Sequence, residues 1–364
     1  MRADDHSRRK APARQVTAEC RSRPALHRDI TVIGASAGAI GPLRELFSRL
    51  PRDYPAAVFV VMHLAPDSPG VLPDILDRVS PMPVVPARSG AAVRVGTATV
   101  APPDMHLVLE NDRVRLVHGP RENRHRPSVD VLFRSAAVAY EPRVTGVVLS
   151  GMQDDGAAGL WAIKRRGGAA VVQDPKDAEF ADMPRNAMEI VDVDACVPAR
   201  DLAATLLRIA STSVEIPDLP GTVDMEKEPR MSARNDWSME ALDTIGKRVP
   251  LTCPECGGAL WEMADAGPRF RCHTGHAYSQ RTLADEQSIQ VEAALWAALR
   301  RLEESERIAG SMAAQARNRG NERSAAYHAD IAQAHRGHAA TLRQVLAERT
   351  ASTAAETVDE TLDD

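Results

Sequence analysis

The sequence predicts an α/β fold: a doubly wound, mostly parallel sheet with helices on both faces, followed by a small zinc-ribbon-like module and a helical hairpin. Three observations predict it. Between Asp29 and about Ala210, the β-branched runs ITVIGA, AAVFVVMHL, VTGVVLSG and AAVVQD alternate with helix-patterned segments, as parallel strands covered on both faces do. Cys253, Cys256, Cys272 and His276 then crowd into one short stretch. From Leu283 to Gln315, Ile289, Leu295, Trp296, Leu299, Leu302, Ile308 and Met312 recur at helical spacing, and after a break at Asn318 to Asn321 an Ala-rich helix runs to Glu348.

These signals divide the chain of 364 residues into six parts: a basic leader over 1–28, the α/β domain over 29–210, a linker over 211–247, the cysteine module over 248–282, the hairpin over 283–348 and an acidic tail over 349–364. The leader is rich in Arg and lacks the apolar stretch of a secretory signal, so a solvated tail is expected. Within the first domain, Pro81 to Val117 carries short alternating segments around Gly90, Gly96 and Pro102 and reads as a small antiparallel excursion. The linker is assigned because Pro, Ser and mixed charge replace any apolar period.

Composition narrows the function. A formal net charge of −5 gives no general reason to expect nucleic acid as a partner. The longest apolar run, Ala56 to Met62, falls far short of the roughly 18 residues a membrane helix needs, so no membrane insertion is expected. Five cysteines, three of them between Cys253 and Cys272, make no disulfide framework and point to a reducing cytoplasm.

The stretch DITVIGASAGAIGPL takes a strand into a turn of small residues and then into a helix start. Such a turn cradles a phosphate or presents a nucleophile. Gly34, Ser36 and Gly38 spell GxSxG. The phosphate-binding loop of short-chain dehydrogenases is excluded, because Ile40 stands where its third glycine belongs and no Tyr is followed four residues later by Lys.

Ser36 therefore needs a base and an orienting acid. His63 follows the buried run VFVVM and Asp155 follows VTGVVLS, so both emerge at the carboxyl ends of strands, where sites collect in such sheets. If those strands neighbour the first, the three side chains converge on one rim. Taken alone, Asp155 or Asp154 serves equally well as the N-cap of a helix beginning at Gly156 or Ala157. The order Ser, His, Asp disfavours an α/β-hydrolase, whose histidine comes last.

The motifs IGASAG, VMHLAPD, GPRENRHRPSVDVLF and SGMQDDGAAG, in that order, resemble the catalytic domain of CheB, the chemotaxis protein-glutamate methylesterase, over roughly Asp29 to Leu207. The resemblance implies Ser36 as nucleophile, His63 as general base and Asp155 as the residue that orients the imidazole. It also implies a substrate and oxyanion wall of Ala37, His125 and Met152, with backbone N–H groups as donors and no cofactor for catalysis. The implied substrate is a glutamate γ-methyl ester on a methylated chemoreceptor-type protein, with a CheR-type methyltransferase as functional counterpart and glutamine deamidation as a second reaction of the same acyl route. Ala37, Ala39 and Gln153 depart from residues usual in the family. The 28 residues before the first strand are too few for a receiver domain, so phosphorylation in cis is not expected. Arg121, Arg124 and Arg126 are placed to attract an acidic receptor surface.

In the second module, Cys253 and Cys256 form CxxC, fifteen residues separate Cys256 from Cys272, and His276 follows three residues after that. Two close pairs across a short hairpin close a tetrahedron around one structural zinc, with His273 as the competing fourth ligand. The alternative function is a non-catalytic signalling or binding module that docks partners through this zinc and helical region.

Overall fold

The computed structural model describes residues 26–215, 223–263 and 267–359, with side chains from 226 onward in the second segment and up to 349 in the last. Most of the basic leader and the end of the acidic tail lie outside the described residues.

In chain order the first domain comprises β1 (Leu26–His27), β2 (Ile30–Ala35), α1 (Ile40–Arg49), β3 (Ala57–Met62), α2 (Leu72–Asp77), β4 (Val84–Pro86), β5 (Ala98–Val100), β6 (His106–Glu110), β7 (Arg113–Val117), α3 (Val129–Tyr140), β8 (Val144–Val148), α4 (Ala157–Arg165), β9 (Ala169–Gln173), α5 (Asp182–Ile190), β10 (Ala195–Val197), α6 (Ala199–Ala210) and β11 (Ser213–Val214). Seven strands form one sheet in the order β10-β9-β8-β2-β3-β5-β4, all neighbours parallel. Every residue of β2, β3, β8 and β9 is buried, which is why these strands read as continuous apolar runs. On one face Ile33, Val58 and Val60 meet Leu43 and Phe47 of α1 and Leu202 and Leu206 of α6. On the other, Val32, Phe59 and Val61 meet Leu132 and Phe133 of α3 and Leu160 of α4. From β2 the chain winds outward through β3, β4 and β5, then returns to β8 and winds the other way. The crevice above β2 and β8 is therefore the switch point of the sheet.

The expected antiparallel excursion is only half of what 81–117 forms. Its first half supplies β5 and the edge strand β4, both parallel members of the main sheet, and only β6 and β7 pair antiparallel. Strands this short are too brief for periodicity to reveal their direction.

The segment read as a linker carries α7 (Val223–Arg234) and α8 (Met239–Leu242). Helix α7 gave no apolar signal because one of its main anchors is a charge: Glu228 is buried among arginines. Next come β12 (Gly246–Thr252), β13 (Ala259–Met263), β14 (Arg269–Cys272) and β15 (Ala277–Ser279), an antiparallel sheet in sequential order. Helices α9 (Gln280–Asn318) and α10 (Glu322–Asp359) follow and pair, so α10 runs on past Glu348. Leu295, Leu299 and Leu302 pack on Ala339, Leu342 and Leu346. Trp296 and Ile308 of the same expected stripe are exposed, because two paired helices cover a narrower stripe than a globular core does.

Candidate active site

Strand β2 ends at Ala35 and the chain turns through Ser36, Ala37 and Gly38 into α1. The turn is pinned by Ser36 N–H donating to Ser150 O at 3.0 Å. It also tolerates no bulk. A Cβ added to Gly151 would lie 2.1 Å from Met183 Sδ and 2.6 Å from Ser36 Cβ, so only glycine fits against the serine. His63 follows β3 and Asp155 follows β8, the two strands that flank β2. All three side chains meet on one rim. His63 Nδ1 lies 3.0 Å from Ser36 Oγ, and His63 Nε2 lies 2.8 Å from Asp155 Oδ2. The imidazole side chain is 5% exposed and the carboxylate 1%.

Asp155 is held by donors on every side. Its oxygens accept from Val129 N–H at 2.7 Å, Ser128 O–H at 2.9 Å, Asp130 N–H at 3.2 Å and the Asn123 amide at 3.3 Å, besides His63. Burial works against its charge, yet the His63 hydrogen bond, the His63 and His125 rings and the Val129 N–H hold the carboxyl well below the usual range. Neither Asp154 nor Asp155 caps the helix that follows. Instead the caps cross: Asp155 sits on the amino terminus of α3, while Asp130 from α3 accepts from Gly156 and Gly159 N–H at the amino terminus of α4. Each carboxylate complements the positive end of the other's helix. Burial and the neighbouring Asp155 push Asp130 up to about 7.

His125 stacks on His63 with ring centroids 3.5 Å apart and 4° between planes. Burial, then the adjacent His63, pushes it down to about 3, so it is a neutral wall against the face of the imidazole at physiological pH. A cleft of about 350 Å³ opens beside these rings, lined by Leu64, Pro66, Arg121, Arg124 and His125 among others. Of the three arginines expected to attract an acidic partner, two are already paired: Arg124 with Glu286, and Arg126 with Asp104 at 2.6 Å. Arg121 has no ion pair among the described residues. The backbone N–H groups of Ala37 and Met152 donate to no acceptor among the described residues, and Met152 is exposed at the rim.

Asn123, Ser128 and Asp130 escaped the reading of the sequence. The Ser-Val-Asp run opening an apolar helix is an N-terminus signature, so their place at a helix start was available. Their second partner, Asp155, was not.

Far along the chain, Cys253, Cys256, Cys272 and His276 bring their ligand atoms within 4.8 Å of one another, close enough to bind a metal ion. Cys256 Sγ lies 3.6 Å from Cys272 Sγ, and His276 Nδ1 lies 3.6 Å from Cys253 Sγ and 3.5 Å from Cys272 Sγ. His276 Nε2 faces Glu255 at 3.2 Å, an outer carboxylate that fixes the ring with Nδ1 turned inward. His273 is outside this group and packs on Gly258.

A serine, an imidazole and a carboxylate linked in that order at the switch point of a doubly wound sheet define the class: an α/β protein with a hydrolase-type site. The chain belongs to the CheB methylesterase family, which its residues 31–206 match. It is 38% identical over 185 residues to a Leptospira interrogans protein provisionally named a protein-glutamate methylesterase/protein-glutamine glutaminase, covering 50% of this chain and 96% of that one. It is 35% identical over 184 residues to a protein of that name without the qualifier from Symbiobacterium thermophilum, covering 50% of this chain and 51% of the relative. The crystal structure of the Thermotoga maritima CheB methylesterase catalytic domain is similar at 32% identity and a TM-score of 0.48, over 50% of this chain and 97% of that one. No described helix is long and apolar enough to cross a membrane.

Proposed function

We propose that this protein is a protein-glutamate methylesterase that hydrolyses glutamate γ-methyl esters on methylated chemoreceptor-type proteins in the cytoplasm. One observation carries the reading: His63 bridges Ser36 Oγ and Asp155 with both ring nitrogens at hydrogen-bond distance. With Nε2–H donated to Asp155, the lone pair of Nδ1 faces the serine hydroxyl. Ser36 Oγ attacks the ester carbonyl carbon while Nδ1 takes its proton. The tetrahedral oxyanion is received by the free N–H groups of Ala37 and Met152, a contribution of about 3 kcal/mol per donor. Nδ1–H then protonates departing methanol, and water repeats the cycle to release the glutamate carboxylate. An amide enters the same route with ammonia as leaving group, which is glutamine deamidation. A CheR-type methyltransferase is the counterpart that would make the ester.

The four-residue cluster is proposed to hold a structural zinc. Four ligands at about 2.0–2.3 Å from a tetrahedral ion stand about 3.3–3.8 Å apart, a range that holds the three ligand-atom separations above. Three cysteines and a histidine leave no open position, so the ion takes no part in the ester chemistry.

Incubating wild type and Ser36→Ala with methyl-labelled receptor tests the esterase reading. Labelled methanol is expected from the wild type alone. Equal release from both ends the nucleophile assignment.

A further inference from the structure

The metal cluster and the Ser36–His63–Asp155 relay are separated by very little structure. His276 is followed by Ala277, whose carbonyl accepts from Asn123 N–H at 2.8 Å and whose N–H donates to Arg121 O at 3.3 Å. Ser279 N–H then donates to Asn123 Oδ1 at 3.0 Å. The loop 121–123 thus lies along β15 as an added edge. Next to the ligand Cys272, the buried Arg271 reaches Glu122 at 2.8 Å. On its inner side the same Asn123 gives its amide N–H groups to Asp155 at 3.3 Å and Asp130 at 3.1 Å. Two residues further on, His125 stacks on His63. Asn123 is 5% exposed and sits at φ 47°, and its side chain spans from the module to the carboxylate that orients the imidazole.

From this geometry we infer that the metal module is a working wall of the esterase site, with Asn123 the positioning residue through which metal occupancy sets the placement of Asp155 and His63. The inference rests on the esterase and metal readings above. Its physical basis is the thinness of the module: the core around the ligands is Cys253, Leu260, Phe270, Cys272, Tyr278 and Leu283, two of them ligands themselves. Trp261 and the pairs of Arg269 and Arg271 with Glu228 hold the strands against α7, but so little apolar surface around the ligands does not keep the turns at 253–256 and 272–276 closed without the ion. Loss of the ion frees the end that carries Ala277, and with it the edge against which Asn123 is held.

The test uses the full chain with zinc as the probe ion, comparing loaded, chelated and reloaded protein. Hydrolysis of a small activated acetate ester, which needs no receptor docking, is measured beside amide hydrogen exchange. Chelation is expected to lower kcat about tenfold to a hundredfold, the scale of an ångström of misplacement, with KM little changed. It should raise exchange at Asn123 and His125 while β2 and β3 stay protected, and reloading should restore both. Asn123→Gly keeps the left-handed backbone. In loaded protein it should lower kcat by a similar factor, move the acid limb of the pH profile upward because Asp155 has lost a donor, and leave chelation little to remove. Unchanged kcat and unchanged exchange after chelation overturn the inference, as does Asn123→Gly with the wild-type rate and profile. Loaded wild type that fails to turn over defeats the esterase reading instead, and the exchange data then decide the coupling. A chain that takes up no zinc defeats the metal reading and the inference together.

Discussion

His63 uses its nitrogens in a definite order, Nδ1 toward Ser36 and Nε2 toward Asp155, and the surroundings of Asp155 enforce it. Oδ2 accepts from His63 and Val129, and Oδ1 from Ser128, Asp130 and Asn123. Every partner is a donor. Asp155→Asn would aim an NH₂ group at donors whichever way it turned, and one orientation demands the Nε2 lone pair and so the wrong tautomer. We expect kcat to fall by about 10⁴-fold, the scale seen when a histidine is held in the wrong tautomer, with KM for a small ester little changed. Steady-state kinetics check this, and a loss confined to KM would remove Asp155 from the relay.

At the scale of elements, crossed capping locks α3 to α4 beneath the site and gives the fold a pH signature. Asp130 stands at about 7 because burial and Asp155 oppose its charge, whereas an unfolded aspartate titrates near 4. A raised folded value means that its contribution is full below the unfolded value and is lost as pH climbs to the folded one. Between pH ~4 and ~7 the folded chain binds the extra proton, so this group lowers stability by at most about 1.4 kcal/mol per pH unit. Asp155, Glu122 and Glu228, held below their ordinary values, act oppositely and only at lower pH, where stability drains away as they protonate. Asp130→Asn should therefore flatten the decline between pH 4 and 7, at some cost in absolute stability because its NH₂ faces the Asn123 amide. Urea midpoints across that range measure it, and an unaltered slope would refute the assignment. The sequence made some of this legible. Strands β2, β3 and β8 announce themselves as apolar runs, and Ser36, His63 and Asp155 stand beyond their carboxyl ends, so the pattern marks the three candidates. Their meeting on one rim depends on β3 and β8 flanking β2, which no local pattern encodes. The crossed caps could not be read either, since Asp130 and Asp155 are 25 residues apart and each looks like a cap of its own helix. Nor could α7, whose Glu228 turns a charge inward where periodicity looks for a leucine.

For the whole molecule, the decisive joint is a buried cluster of charges between the α/β domain and the metal module. Arg134 of α3 contacts Glu122, and Glu228 of α7 meets Arg269 at 2.8 Å and Arg271 at 2.7 Å. Arg271 also stacks over Trp237 at 4.0 Å. The cluster is rich in donors: Arg134 Nε and Nη1 and Arg271 Nε have no hydrogen-bond partner among the described residues. Removing one carboxylate from such a site leaves buried cations uncompensated, which costs about 3–5 kcal/mol. Within the helical hairpin, beside its Leu and Ala seam, the charges that cross between α9 and α10 form exposed pairs such as Arg336 with Glu306 at 2.8 Å, where water screens the attraction and the contribution is about 0–1 kcal/mol. Glu228→Gln should therefore lower the urea midpoint by several times the effect of Arg336→Ala and raise amide exchange in β12 to β15 first, because those strands lose their anchor. Raising salt should narrow the small effect and leave the large one, since buried pairs are screened little. Equal, small shifts from both variants would mean that the two parts of the chain merely touch, and that the module is carried by the esterase domain without being built into it.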